Sequence, residues 1–209
     1  MKNNNRERFI ESVYHVVYYG NMVRSLKDVF LSVENSISVD EKLIIRLSIQ
    51  WNVMLMTISL LDELNKYFFV YHPNEKELQD RINGYKNIVK PMLAEINSWH
   101  DLRKFRNNVL AHNFRIYKDN FKSVLINNKL NTYNIPQYRV DLVILCKYLD
   151  AITKVAEEIF AKEYEESIVT IESFPKKEKN SDAIVEKGKK CDLIIAEVNS
   201  RIESYNSIL

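Results

Sequence analysis

The chain has 209 residues, of which 46% are hydrophobic and 28% are charged, with a formal net charge of +2. This length suffices for one globular domain with a sizeable core, and the composition argues against a wholly disordered chain. Only three glycines and four prolines occur, too few for the many tight turns of a β-sandwich or barrel. The glycines are also far apart, which excludes G-x-G-x-x-G and P-loop motifs. We therefore expect an all-α protein.

Features that would direct the chain to a membrane or an oxidising compartment are absent from the sequence. The two cysteines, Cys146 and Cys191, form neither a C-x-x-C pair nor a disulfide framework. No basic start followed by an apolar run resembles a signal peptide. The richest apolar run, residues 43–61, contains polar residues and falls short of the ~18 apolar residues of a membrane span. We expect a cytoplasmic protein without a membrane partner, and the abundance of Asn, Ile and Lys is typical of an AT-rich bacterial genome.

The first two predicted helices are long. Apolar residues recur with a helical period over residues 5–33, and Gly20 in the middle indicates a bend or a close contact. A second helix begins at Ser38, which together with Glu41 has the spacing of a capping box. This helix continues to about Tyr71 and is apolar on most sides, so we expect it to be central.

Two shorter helices are predicted next. Asn74 marks the start of a helix that runs to about residue 97, with a kink predicted at Pro91. Ser98 and Asp101 mark the start of the following helix, which runs to about His112.

The rest of the chain divides into an irregular segment and two helices. Residues 114–135 are rich in asparagine and predict an irregular loop or a small hairpin. Pro136 fits the first turn of a long helix ending near Tyr164. We expect an up-and-down helical bundle over residues 1–170 and an extra C-terminal helix within 176–209, packed on the bundle or at a dimer interface.

Familiar catalytic patterns are absent. No H-E-x-x-H motif and no Glu-x-x-His pair occurs, and we expect neither a metal site nor a cofactor. Glu11 and His15 are four residues apart, which predicts an ordinary surface ion pair, with a metal ligand set as the less favoured alternative. Cys146 lies in an apolar run and is interpreted as a core residue rather than a nucleophile.

One short segment, residues 102–114, does carry a chemically informative set. Arg106, Asn107 and His112 lie within seven residues of one another. A guanidinium binds phosphate through paired hydrogen bonds and stabilises developing negative charge, and a histidine with a near-neutral pKa moves protons. This set favours metal-independent RNA cleavage, in which the 2′-hydroxyl attacks the adjacent phosphate.

The charge distribution supports a polyanionic partner such as RNA. Residues 99–140 contain eight basic and two acidic residues, a net charge of +6 in a chain whose total is +2. Aromatic residues are interleaved with the cations and are predicted to stack on bases: Tyr117, Phe121, Tyr133 and Tyr138. The predicted RNA-binding residues are Arg103, Lys104, Arg115, Lys118 and Lys122.

The spacing of Arg106 and His112 resists the simplest picture of the site. Six residues correspond to about 600°, so the two side chains differ by ~120° around a regular α-helix. Either the helix ends before His112, or a second copy of the chain completes the site across a two-fold axis. His112 also follows Leu102 and Phe105 at helical spacing, so a buried, hydrogen-bonded imidazole is a further interpretation.

The string from Arg106 and Asn107 to His112 resembles the R-x(4–6)-H motif of the HEPN superfamily (higher eukaryotes and prokaryotes nucleotide-binding). The fuller pattern, including Leu102, Arg103, Ala111 and Asn113, looks like the abortive-infection-associated branch, and the Leu60-Leu61-Asp62 end of the second helix is weakly similar to the same branch. Phe114 stands where some members have tyrosine, which removes a hydroxyl.

The resemblance implies a helical bundle that forms a homodimer, with the motifs of two subunits facing each other in a cleft. Members with the intact motif are commonly metal-independent endoribonucleases of toxin or antiviral-defence systems, whereas others bind nucleotide, RNA or protein without catalysis. It implies Arg106 as the phosphate clamp, Asn107 as the orienting residue and His112 as the acid/base. Any antitoxin would be a separate protein. A helical interaction scaffold is the remaining alternative.

Overall fold

A computed structural model of the chain describes residues 3–33, 39–110, 115–116, 122–123, 132–174, 185–186 and 189–198. The chain forms two compact units, residues 1–171 and 172–209. The first unit contains all the elements that carry the candidate site. Within the second unit, residues 189–198 are helical, inside the segment predicted to form the C-terminal helix.

The first unit is an all-α bundle, as predicted. Its long helices are α1 (Asn3–Val33), α2 (Val39–Glu63), α3 (Lys76–Ser98), α5 (Arg139–Ile159) and most of α6 (Ala161–Ser173). A short helix, α4 (Leu102–Phe105), lies between α3 and α5, and two π-helical turns, Leu64–Phe68 and Arg106–Leu110, directly extend α2 and α4. None of the helices in the described ranges is long and apolar enough to cross a lipid bilayer.

A cluster of buried aromatic rings joins four parts of the bundle. Phe9 of α1, Phe68 of the first π-turn, Tyr85 of α3 and Phe160 at the α5–α6 junction are all fully buried. The ring centroids of Phe68 lie 5.1 Å from those of Phe9 and of Phe160. Such tilted and edge-to-face pairs each add about 0.5–1.5 kcal/mol beyond their area burial. This cluster therefore fixes the end of α2 relative to α3, which positions the candidate site.

Gly20 marks a close contact between helices, one of the two roles predicted for it. A Cβ atom at this position would lie 1.7 Å from Oγ1 of Thr153, a buried residue of α5. The absence of a side chain allows α1 and α5 to approach this closely.

The single long helix predicted from Pro136 to Tyr164 is wrong, because the structure has two helices there. α5 begins at Arg139, and the backbone N–H of Tyr138 donates to the carboxylate of Asp141 at 3.1 Å. α5 ends at Ile159, whose carbonyl accepts a hydrogen bond from Arg81 of α3 at 3.0 Å. Arg81 also pairs with the buried Glu163 through two bonds of 2.6 and 3.0 Å. Arg81 of α3 thus provides the hydrogen-bond donor for a backbone carbonyl that is free where α5 ends.

The helices predicted to start at Asn74 and Ser98 begin later, at Lys76 and Leu102. α3 begins at Lys76 with Glu75 as its N-cap residue, and the helix continues through Pro91. The Ser98 hydroxyl donates to the carbonyl of Glu95 within α3, so Ser98 ends one helix rather than starting the next. Asp101 is the N-cap residue of α4, but its carboxylate makes no side-chain cap.

The segment predicted to be an irregular loop or a small hairpin contains an antiparallel strand pair in its described part. β1 (Arg115–Ile116) pairs with β2 (Lys122–Ser123), with Arg115 opposite Ser123. Ser38 and its predicted capping interaction lie outside the described residues.

Candidate functional site

Three cations converge on one carboxylate at the end of α2. Oδ1 of Asp62 lies 2.6 Å from Nη2 of Arg103, and Oδ2 lies 3.0 Å from Nζ of Lys66 and 3.8 Å from Nη1 of Arg106. Asp62 itself is mostly buried, with 21% of its side chain exposed. We call these four residues the Asp62 cluster. Three positive charges and one negative charge leave this cluster at +2.

Both π-helical turns of the described chain lie at the Asp62 cluster. The first turn contains Lys66, four residues after Asp62, and the second begins at Arg106. π-helical turns are rare and occur frequently at functional sites, because the wider turn shifts side chains away from regular helical positions. Regular α-helix ends at Phe105, and residues 106–110 form a π-helical turn, whereas His112 lies outside the described residues.

Arg106 is oriented by two neighbours while part of it remains open to solvent. Its Nε donates a hydrogen bond of 3.0 Å to Oδ1 of Asn107, and its Nη1 faces Asp62. The side chain keeps 35% of its surface exposed. Asn107 therefore contacts the guanidinium that it is predicted to orient, and part of this guanidinium stays open to an anion.

Of the other predicted site residues, the structure describes the side chains of some and not of others. Arg103 joins Arg106 at Asp62. Lys104 lies 3.8 Å from Asp101 and above the ring of Tyr133. His112 and Lys118, as well as the side chains of Arg115 and Lys122, lie outside the described residues.

A polar turn around Asn134 forms hydrogen bonds with the residues that precede α4. The backbone N–H of Asn134 donates to the carboxylate of Asp101 at 2.9 Å, and its side-chain amide lies 2.8 Å from Nδ1 of the exposed His100. Tyr133, predicted to stack on bases, is instead buried with its ring edge-to-face on Phe105 at 5.4 Å. Packing against α4 accounts for this difference, whereas Tyr138 is 72% exposed.

A small cavity opens beside Arg103. It encloses about 210 Å³ between the end of α2, the end of α3 and the start of α4. Its walls include Leu61, Trp99 and His100, together with Arg103 and Asn97. The cavity thus combines an apolar wall, an aromatic side chain and groups that bind anions or hydrogen-bonding partners.

His15 makes a different ion pair from the one predicted. Its Nδ1 lies 3.7 Å from Oε2 of Glu63, the residue after Asp62. The Glu63 carboxylate raises the pKa of His15 against the opposing effect of burial, and Glu11 adds a smaller attraction. Within the described part of the chain, no three His, Cys, Asp or Glu side chains are placed to hold a metal ion.

Cys146 is a core residue, as predicted. It is buried in α5, and burial raises the pKa of its thiol to about 12. Because the thiolate is the nucleophilic form, Cys146 is unreactive near neutral pH.

Sequence reasoning assigned no role to Asp62 or Lys66 in the site. The spacing of Asp62 and Lys66 predicts an ordinary i,i+4 pair on one helix. It does not indicate that α4 brings two arginines to the same carboxylate. Comparisons of the chain with protein families, with curated proteins and with solved structures find no match.

Proposed function

We propose that the protein is a metal-independent endoribonuclease of the HEPN type. It acts as a homodimer in a bacterial toxin or antiviral-defence system of the abortive-infection kind, in the cytoplasm, with any antitoxin a separate protein. The observation that carries the proposal is the Arg106 guanidinium, held by Asn107 and Asp62 and still partly open to solvent. A net charge of +2 around this group favours a phosphodiester as its ligand.

In the proposed reaction the 2′-hydroxyl of RNA attacks the adjacent phosphorus. The 2′-O–P bond forms, the P–O5′ bond breaks, and a cyclic phosphate and a free 5′-hydroxyl result. Arg106 and Arg103 bind the phosphate oxygens and stabilise the charge that develops on them. One His112 takes the proton of the 2′-hydroxyl, and His112 of the second protomer gives a proton to the leaving 5′-oxygen. This division of roles requires two copies of the motif at one cleft.

An exposed apolar patch near the site supports dimerisation. Tyr138 and Val140 are 72% and 60% exposed, and Ile144 lies one turn further along α5. They follow directly on the turn that holds Asn134 against Asp101. Burying such side chains against a second copy is favourable at about 25 cal/mol per Å² of apolar area.

The test is cleavage of single-stranded RNA in the presence of EDTA. We expect the wild type to cleave, Arg106→Ala to lower the rate about 10²–10³-fold, and His112→Ala to lower it about 10²–10⁴-fold. His72→Ala, which removes an exposed histidine outside the Asp62 cluster, should cleave at the wild-type rate. The proposal fails if His112→Ala cleaves as fast as the wild type, or if the wild type leaves RNA intact at high concentration.

A non-catalytic HEPN module is the second candidate. It is favoured by the same cluster, because the three cations around Asp62 provide a net positive charge that attracts an anion without any contribution from His112. This function predicts a dimer that binds RNA or nucleotide in a salt-sensitive manner and releases it unchanged.

A further inference from the structure

A groove with basic and amide walls runs between the first π-turn and α3. It encloses about 550 Å³, and its polar lining consists of lysine and asparagine side chains. The lysines are Lys86 and Lys90 of α3, and the amides are Asn65, Asn87 and Asn97. The remaining lining residues are apolar.

The stretch of α3 that lines the groove, residues 86–97, carries no acidic side chain on its groove face. At about 100° per residue, Lys86 and Asn97 lie within ~40° of Lys90 around the helix. Glu95, the one acidic residue in this stretch, lies about 140° from Lys90. Asp80 lies within about 20° of Asn87 around the helix, but it is about 10 Å further along the helix axis, outside the groove lining. The positive potential of this face is therefore not neutralised from within the helix, although α3 carries both signs of charge.

The groove is contiguous with the candidate catalytic side of the bundle. Asn97 lines both the groove and the small cavity that contains Arg103. Asn65 directly precedes Lys66 of the Asp62 cluster, and its amide is fixed by a 2.8 Å hydrogen bond to the carbonyl of Leu61, which lines the same cavity. An RNA strand that leaves the Asp62 cluster thus meets the groove without crossing the bundle.

The groove also presents an aromatic surface. Phe69 is half-buried in its wall, and Nζ of Lys86 lies 5.4 Å from the centre of its ring. Lys86 and Lys90 are four residues apart, so their Cα atoms are separated by about 6 Å along the helix. A basic track beside an aromatic ring is the combination with which proteins bind single-stranded nucleic acid, since cations contact phosphates and rings contact bases.

We infer that this groove binds the single-stranded RNA that flanks the cleaved phosphate, with Lys86 and Lys90 on successive phosphates and the asparagine amides on base edges. The inference rests on the proposed function for the identity of the ligand. An RNA duplex hides its base edges and presents mainly phosphates and 2′-hydroxyls, so it gains little from the apolar floor and the amides. The groove therefore selects unpaired RNA.

The experiment measures binding of a short fluorescent single-stranded RNA to the full-length His112→Ala protein, by anisotropy over a range of salt concentrations. Adding Lys86→Ala and Lys90→Ala should weaken binding at least tenfold at low salt. It should also reduce the slope of log K against log salt by about 1.4, which is 0.7 for each lost phosphate contact. The matched control adds Lys154→Ala and Lys162→Ala, two exposed lysines that do not line the groove. Thermal melting verifies that each variant is folded.

The inference is overturned if the two pairs of substitutions weaken binding equally, or if the parent protein does not bind the RNA. It is also overturned if duplex RNA loses affinity to the same extent, or if polyglutamate displaces the RNA as effectively as unlabelled RNA does. These results are separable from the test of catalysis. If the wild type cleaves RNA and the loss of Lys86 and Lys90 leaves binding unchanged, the role of the groove is refuted but the nuclease is not. If the wild type does not cleave RNA but binding depends on both lysines, the nuclease is refuted but the role of the groove is not.

Discussion

Replacing Asp62 with asparagine should separate RNA binding from RNA cleavage. Asp62→Asn keeps the shape of the side chain and removes the charge that attracts Lys66, Arg103 and Arg106. The charge of the cluster rises from +2 to +3, so RNA should bind more tightly, with a salt slope steeper by about 0.7. Arg106 loses the partner that faces its Nη1 atom, so its orientation towards phosphate becomes less defined.

The expected size of each effect follows from the exposure of the partners. Side-chain exposures of 50% for Arg103, 59% for Lys66 and 35% for Arg106 place these ion pairs in the weak, partly solvated class. Each of the three contributes about 0.2–1 kcal/mol, so Asp62→Asn should lower the free energy of unfolding by roughly 0.6–3 kcal/mol in total. Catalysis is more sensitive, because a displacement of about 1 Å in a positioning group costs on the order of 10²-fold in rate.

The assay compares kcat and RNA affinity for the wild type, Asp62→Asn and Asp80→Asn. Asp80→Asn removes one negative charge from an exposed position on α3 and should leave kcat unchanged. We expect Asp62→Asn alone to combine a lower kcat with tighter binding. An unchanged kcat would refute the positioning role of this carboxylate, and weaker binding by Asp62→Asn would refute the predicted effect of its charge.

Two further predictions concern the bundle. Gly20→Ala should lower the free energy of unfolding by about 1–3 kcal/mol, because the added Cβ overlaps Thr153. Gly84→Ala, whose added Cβ meets no atom within 4 Å, should raise the free energy of unfolding by about 0.5–1 kcal/mol. Equal shifts of the two variants in thermal melting would contradict the α1–α5 contact. Glu63 raises the pKa of His15, so this pair stabilises the fold fully below about pH 6.5 and loses its contribution as pH rises through the higher folded pKa. The stability difference between wild type and His15→Gln, from denaturation at several pH values, should therefore shrink towards higher pH, and a growing difference would exclude the pair.

Local patterns predicted the helices, and tertiary partners determined where the predictions were wrong. The apolar period of residues 5–33 predicts α1 because a helix that buries one face must repeat its apolar positions. No such pattern reports the break at Phe160, which depends on Arg81 reaching the carbonyl of Ile159 and the carboxylate of Glu163 from another helix.

The candidate site shows the same division. Arg106 and Asn107 are adjacent, so their hydrogen bond falls within the motif that the sequence displays. Asp62 lies more than forty residues away from Arg103 and Arg106, and only the packing of α4 beside α2 brings the three together. The burial of Tyr133 likewise depends on its contact with Phe105, which the interleaving of aromatic and basic residues does not reveal.

Subunit mixing tests most directly whether two motifs form one site. Wild-type protein is mixed with an equal amount of the Arg106→Ala/His112→Ala double variant, and the two are allowed to exchange subunits. RNA cleavage is then measured in EDTA at constant total protein. If each cleft needs the motifs of both protomers, only wild-type dimers cleave, and the activity falls to about a quarter of that of the wild type alone. An activity of about one half would mean that each protomer works independently, and would contradict the shared site.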